Sequence, residues 1–199
     1  MNINNQVRNV INVNRLNRTL TYLSGPMDRV LNFQKDARAW RDDLKPFLYS
    51  MGVGVLDPCD KATSMSEESE DLREKKKLLK EQGRYNELRA IMKPICSLDL
   101  RMVDISNFMI LYIDTDLHMA GSYHEAAVAI SQKKPVLIMC KQGKSSVPDW
   151  WYGSVPHEMM FSSWDELKDY LTTINTAEKV DHQKRWWFLD MDYVYGTTT

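Results

Sequence analysis

Cysteine is scarce in this 199-residue chain, and its pattern excludes two classes of protein. Cys59, Cys96 and Cys140 are odd in number, form no CxxC pair and have no histidine nearby. That argues against both a disulfide framework and a zinc site, so they read as buried, reduced and structural. Net charge is equally slight. Lys plus Arg total 26 against 27 Asp plus Glu, which leaves -1 and no global field to draw in a nucleic acid or an anionic membrane. An anionic ligand must be held locally. Long apolar runs are missing too: the longest, Phe108 to Ile113, is far too short to span a bilayer, and the Asn-rich N-terminus has no apolar signal core. These absences predict a cytoplasmic protein without membrane or nucleic-acid partners. No GxGxxG and no Walker loop occurs, so neither common phosphate-binding fingerprint applies.

What is present is one alternating pattern, long enough for one substantial core and too short for a second full domain. Residues 1–17 read as a flexible arm, 18–177 as an α/β domain and 178–199 as an aromatic tail in need of a surface. Thr19 to Ser24 reads as a strand stopped by Gly25-Pro26. Phe33, Ala37, Trp40, Leu44 and Phe47 form the apolar stripe of a helix capped by Asn32. Val53 to Leu56 is a second strand, closed by Asp57-Pro58. The charged insertion 61–93 contains EKKKLLKE and a turn at Gly83; it fits a solvated helix better than a lid over the site. Pro94 opens the next helix, and Phe108 to Ile113 has the continuous apolar character of a strand covered on both faces. Gly121 to Gln132 is helical, Pro135 to Met139 is a strand, and Met159 to Phe161 leads into a helix capped at Ser163. The order predicts a doubly wound, mostly parallel five-stranded sheet with helices on both faces, Rossmann-like or flavodoxin-like.

In such a sheet ligands bind beyond the carboxyl ends of the strands. Glu125 then stands in the first turn of its helix, where the dipole and free amides favour an ionised carboxylate suited to nucleophilic attack. Ser122-Tyr-His-Glu125 is also a capping-box spacing, and taken alone that spacing fits a cap better than a nucleophile. Asp99, about one turn into its helix, faces the same crevice as a possible proton donor, or as a solvated carboxylate. Gly25-Pro26 could bring backbone amides to a sugar or phosphate. His118 and His124 lack partners at metal-ligand spacing. Trp150 and Trp151 either wall a base pocket or cover the sheet edge.

Taken together and in order, Tyr22-Leu-Ser-Gly-Pro-Met27, Asp99-Leu100, Gly121-Ser-Tyr-His-Glu125 and Lys134-Pro-Val136 resemble the nucleoside 2-deoxyribosyltransferase family and the related 2′-deoxynucleoside 5′-phosphate N-hydrolases, over residues 19 to about 172. The resemblance implies a Glu125 nucleophile attacking C1′, Asp99 assisting the departing base, and Tyr22 beside the nucleophile. It further implies a substrate lined by Ser24, Gly25, Pro26, Met27, Asp28, Asp57, Met119, Gly121 and Ser122. The partners it implies are a small-molecule deoxynucleoside or deoxynucleotide and a nucleobase or water acceptor, and it implies no metal or other cofactor. Family members complete their sites across a subunit interface, which with the aromatic tail predicts a homo-oligomer, His157 reaching the neighbour's site. Met119 departs from the pattern: the transferases resembled here carry Asp and the phosphate-cleaving hydrolases Ser at that place. Asp114 or Asp116 could substitute only if the loop shifts. A non-catalytic nucleotide-binding module on the same scaffold is the alternative.

Overall fold

A computed structural model describes residues 14–27, 30–61 and 70–190. Five parallel strands form one sheet: β1 (Leu20–Ser24), β2 (Gly54–Leu56), β3 (Phe108–Ile113), β4 (Val136–Cys140) and β5 (Met160–Phe161), in the order β2-β1-β3-β4-β5. This is the flavodoxin-like order, whose topological switch point lies between β1 and β3. The helices are α1 (Ala39–Ser50), α2 (Glu70–Glu81), α3 (Tyr85–Ile105), α4 (Ala120–Ser131), the single turn α5 (Asp149–Tyr152) and α6 (Trp164–Thr176).

β3 and β4 are buried almost throughout, as expected of central strands covered on both sides. On one face Trp40 of α1 stacks on Trp164 of α6 at 5.1 Å, and Tyr112 of β3 packs against both rings. On the other face α3 and α4 pack together and against β1. Side chains alternate along a strand, so Tyr22 and Ser24, two apart on β1, both point at α4.

Two helix starts are where capping chemistry places them. Asn32 accepts from the Lys35 amide at 3.0 Å, opening a turn of π-helix (Phe33–Arg38) that runs into α1. Ser163 accepts from the Glu166 amide at 3.2 Å to open α6. Pro94 does not open a helix. It lies inside α3, which begins at Tyr85 after the Gly83 turn, so the second half of the expected insertion is the first half of a core helix. A proline at an interior position leaves one carbonyl without its helical donor. The burial of Ile95, Met102 and Val103 further along keeps the helix continuous.

Both ends of the domain are fastened. Residues 14–17, expected in the arm, are held by the end of α6: the Arg15 amide donates to the Asn175 carbonyl at 3.1 Å, and the Leu16 amide to Asn175 Oδ1 at 2.9 Å. Leu16 itself is buried. The tail through residue 190 finds its surface on its own chain, where Trp186 packs on Phe108 and Tyr170. These aromatics therefore do not argue for a partner; the rest of the tail and residues 1–13 lie outside the described residues. Cys140 is buried as expected, but Cys59 is only half-buried and Cys96 is exposed. No helix among the described residues is long and apolar enough to cross a membrane.

Candidate active site

At the switch point a cavity of about 790 Å³ opens between the end of β1, the loop entering α4, and one face each of α2 and α3. Its size is that of a small-molecule site. Tyr22, Gly25, Pro26, Met27, Met119, Gly121, Ser122 and Glu125 all line it, and so does Asp99 from α3.

Glu125 is oriented by β1: the Ser24 hydroxyl donates to its Oε2 at 2.6 Å. The capping-box reading fails here. α4 starts at Ala120, with Met119 before it, so Glu125 lies in the second turn rather than the first. Ser122 is not a cap either; its hydroxyl donates to the Gly25 carbonyl at 3.0 Å and ties α4 to the turn after β1. The helix dipole acts less on Glu125 than a first-turn position would allow, and the Ser24 bond takes over the work of holding the carboxylate in place.

Tyr22 is 0% exposed. Burial holds the proton on its phenol well above the ordinary value, and the nearby Glu125 and Asp99 carboxylates add to this while Arg41 opposes it. No well-formed hydrogen bond reaches the phenolic oxygen among the described residues, so proximity to Glu125 rather than a closed bond is what the geometry establishes. A neutral phenol beside an anionic carboxylate is a donor in waiting.

Asp99 is buried and faces an unexpected partner. Lys61 Nζ stands 2.8 Å from its Oδ1, with the lysine side chain only 1% exposed. Nothing in the sequence pairs these two, because they come from a loop and a helix far apart in the chain. The same holds for Arg41, buried over the Trp40 ring at 4.4 Å with Nε 3.3 Å from Asp57 Oδ1. Asp57 also meets Lys45 Nζ at 2.7 Å and accepts from the Cys59 amide at 2.8 Å. Its oxygens thus tie the end of β2 to α1, and it does not line the cavity as a substrate ligand would.

Asp114 and Asp116 do not replace the missing residue at Met119. Against the cost of burial, hydrogen bonds from Lys141 at 2.6 Å and Gln142 at 2.7 Å hold the Asp114 carboxyl below its usual range and turn it away from the cavity. Gln142 also reaches Asp116. The Met119 sulfur, buried, accepts weakly from the Asp114 amide at 3.4 Å. His157 is exposed beside Lys144 and outside the cavity. Trp151 is buried against Tyr123 and Trp150 is exposed, so neither walls the site. His118 and His124 do line it, and no group of His, Cys, Asp and Glu poised to hold a metal occurs among the described residues. Asp28 lies outside the described residues.

The largest difference from expectation is α2. Most of its charged side chains are exposed as expected, but Lys76 is buried, and Arg73, Lys76, Lys77 and Lys80 line the same cavity as Glu125. The signal was legible, since 73, 76, 77 and 80 recur at spacings of three and four and share one helical face.

Gly25 is constrained by its neighbours. A Cβ there would stand 2.7 Å from Trp40 Cζ2 and 3.3 Å from Tyr112 Cβ, both in packed aromatic surroundings. Gly25→Ala should destabilise the fold by about 1–3 kcal/mol, the usual cost of overpacking. Urea denaturation measures this, and an unchanged midpoint would show that the turn has room to give. Compared with models of known protein families and with characterised proteins, the sequence matches none of them.

Proposed function

We propose that this chain cleaves or exchanges the N-glycosidic bond of a 2′-deoxynucleoside or its 5′-monophosphate. The supporting observation is the Glu125 carboxylate, pinned by Ser24 at 2.6 Å in the wall of a cavity that it shares with Tyr22 and Asp99. An anchored carboxylate with a neutral phenol beside it and a second carboxyl across the space suits double displacement at C1′. Glu125 attacks C1′ as the bond to the base breaks, stabilising the oxocarbenium-like transition state and then trapping the sugar as a covalent ester. The departing base takes a proton that the Lys61 ammonium, 2.8 Å from Asp99, passes on through the Asp99 carboxylate, leaving the lysine neutral. In the second half, water or an incoming base attacks C1′, gives up its proton to the same pair, and frees the Glu125 carboxylate.

The test is chromatography of the free base released when the protein is incubated with a panel of 2′-deoxynucleosides and their 5′-monophosphates, with and without an acceptor base. Release from at least one donor is expected. Saturable binding with no release from any of them would favour the non-catalytic nucleotide-binding module, to which the paired state of Asp99 and the apolar Met119 would then belong.

A further inference from the structure

Two consecutive residues at the end of β1 hold α4 beside them. The Ser24 hydroxyl donates to Glu125 Oε2 at 2.6 Å, and the next residue, Gly25, accepts at its carbonyl from the Ser122 hydroxyl at 3.0 Å. Ser122 precedes Glu125 by three positions, so both bonds grip the same face of the helix. Ser24 is 0% exposed and, contrary to the expectation from sequence, does not line the cavity, whereas Glu125 does. It touches no substrate and can act only through the carboxylate. Its bond has the length of a charge-assisted hydrogen bond, and it makes the two oxygens of Glu125 unlike each other.

We propose that Ser24 is a positioning residue for the second half of the reaction: its hydroxyl, by engaging Oε2, assigns the attack to Oε1 and then stabilises the carboxylate as the sugar leaves it. This rests on the N-glycosidic reading of the site. In the first half the Oε1–C1′ bond forms as the C1′–N bond breaks, and the electron pair of the broken bond departs with the base. Oε2 becomes the carbonyl oxygen of the ester. The negative charge at that oxygen is lost, and the Ser24 bond weakens from a charge-assisted one to an ordinary one. In the second half water or an incoming base attacks C1′, the Oε1–C1′ bond breaks, and its electron pair returns to the carboxylate. Charge reappears over both oxygens, and a buried donor already aimed at Oε2 meets it as it develops, without reorganisation. The effects on the two steps are therefore opposite in sign. A donor that stabilises the free carboxylate makes it a less reactive nucleophile and a better leaving group, so Ser24 restrains formation of the ester and speeds its breakdown.

The experiment compares Ser24→Ala and Ser24→Cys with the wild type, on a 2′-deoxynucleoside or 5′-monophosphate from which the wild type releases base. Rapid quenching with mass spectrometry of the intact protein follows the sugar adduct, and base release gives kcat/KM, which reports only the steps up to departure of the base. In Ser24→Ala the adduct should decay at least about tenfold more slowly, the scale of a hydrogen bond to a charged group, while kcat/KM changes by less than about threefold. The values of kcat and KM then fall together as the adduct accumulates. Ser24→Cys, which keeps the size of the side chain but donates weakly, should lie between the two. Decay at the wild-type rate in whichever variant folds, or a fall in kcat/KM as large as the slowing of decay, overturns the role of Ser24 in the second half and leaves the glycosidic reading standing. Wild-type protein that releases base from no donor overturns the glycosidic reading, and this inference with it.

Discussion

Glu125→Gln should abolish turnover while leaving the fold intact. The substitution keeps the shape of the side chain and an oxygen for the Ser24 hydroxyl to donate to, but removes the charge that attacks C1′ and that stabilises the oxocarbenium-like transition state. Loss of a covalent nucleophile lowers kcat by roughly 10³-fold or more in enzymes of comparable design. Stability should change by less than about 1 kcal/mol, since a half-buried side chain in the second turn of α4 is neither a helix cap nor part of the core. Both quantities come from one preparation, by base-release kinetics and by urea denaturation. Turnover near that of the wild type in a folded variant would remove Glu125 from the mechanism.

Trp186→Ala should have the largest effect on stability of any single change outside the strands. The indole is 0% exposed, lies 5.3 Å from the Phe108 ring, and donates from Nε1 to the Tyr170 hydroxyl at 3.0 Å. Truncating it opens a cavity against the first residue of β3 and leaves the Tyr170 hydroxyl, whose proton burial already holds up to about 12, without its donor. Tryptophan-to-alanine changes at such sites cost about 3–5 kcal/mol, which in a domain of this size lowers Tm by on the order of 10 °C. A loss below 1 kcal/mol would mean that the tail contributes little to the fold and only rests on it.

How much of this was legible beforehand divides along physical lines. Features that repeat along the chain were readable: the unbroken apolar run of β3, the alternation of strand and helix that forces a parallel sheet, and the short-range caps at Asn32 and Ser163. Tyr22, Asp99, Ser122 and Glu125 were singled out from sequence and do meet in one cavity. Features that depend on which distant side chains pair were not readable. Asp57 looked available at a strand end, but Arg41 and Lys45 occupy its oxygens. The Lys61 partner of Asp99 comes from a different segment altogether. Local signals also compete: Pro94 satisfies the rule for a helix start, yet the burial further along α3 outweighs the hydrogen bond lost there. Ser122 satisfies the rule for a cap, yet its hydroxyl is drawn to the Gly25 carbonyl once β1 and α4 are packed. For α2, composition masked geometry, because a run of lysines reads as solvated until its spacing is projected onto a helix.

The acidic and the basic groups that line the cavity belong to parts of the fold that are held in different ways. The groups proposed to break the bond lie on β1, α3 and α4, bound to the central sheet, whereas the basic groups that face them sit on a helix whose main packing partner is the element that follows it in the chain. Residues that contact near sequence neighbours can be replaced as a block without re-registering a strand. A different helix in place of Glu70–Glu81, with Lys61 kept beside Asp99, would thus face the same carboxylates with a different complement of charge while the groups proposed to break the bond stayed where they are.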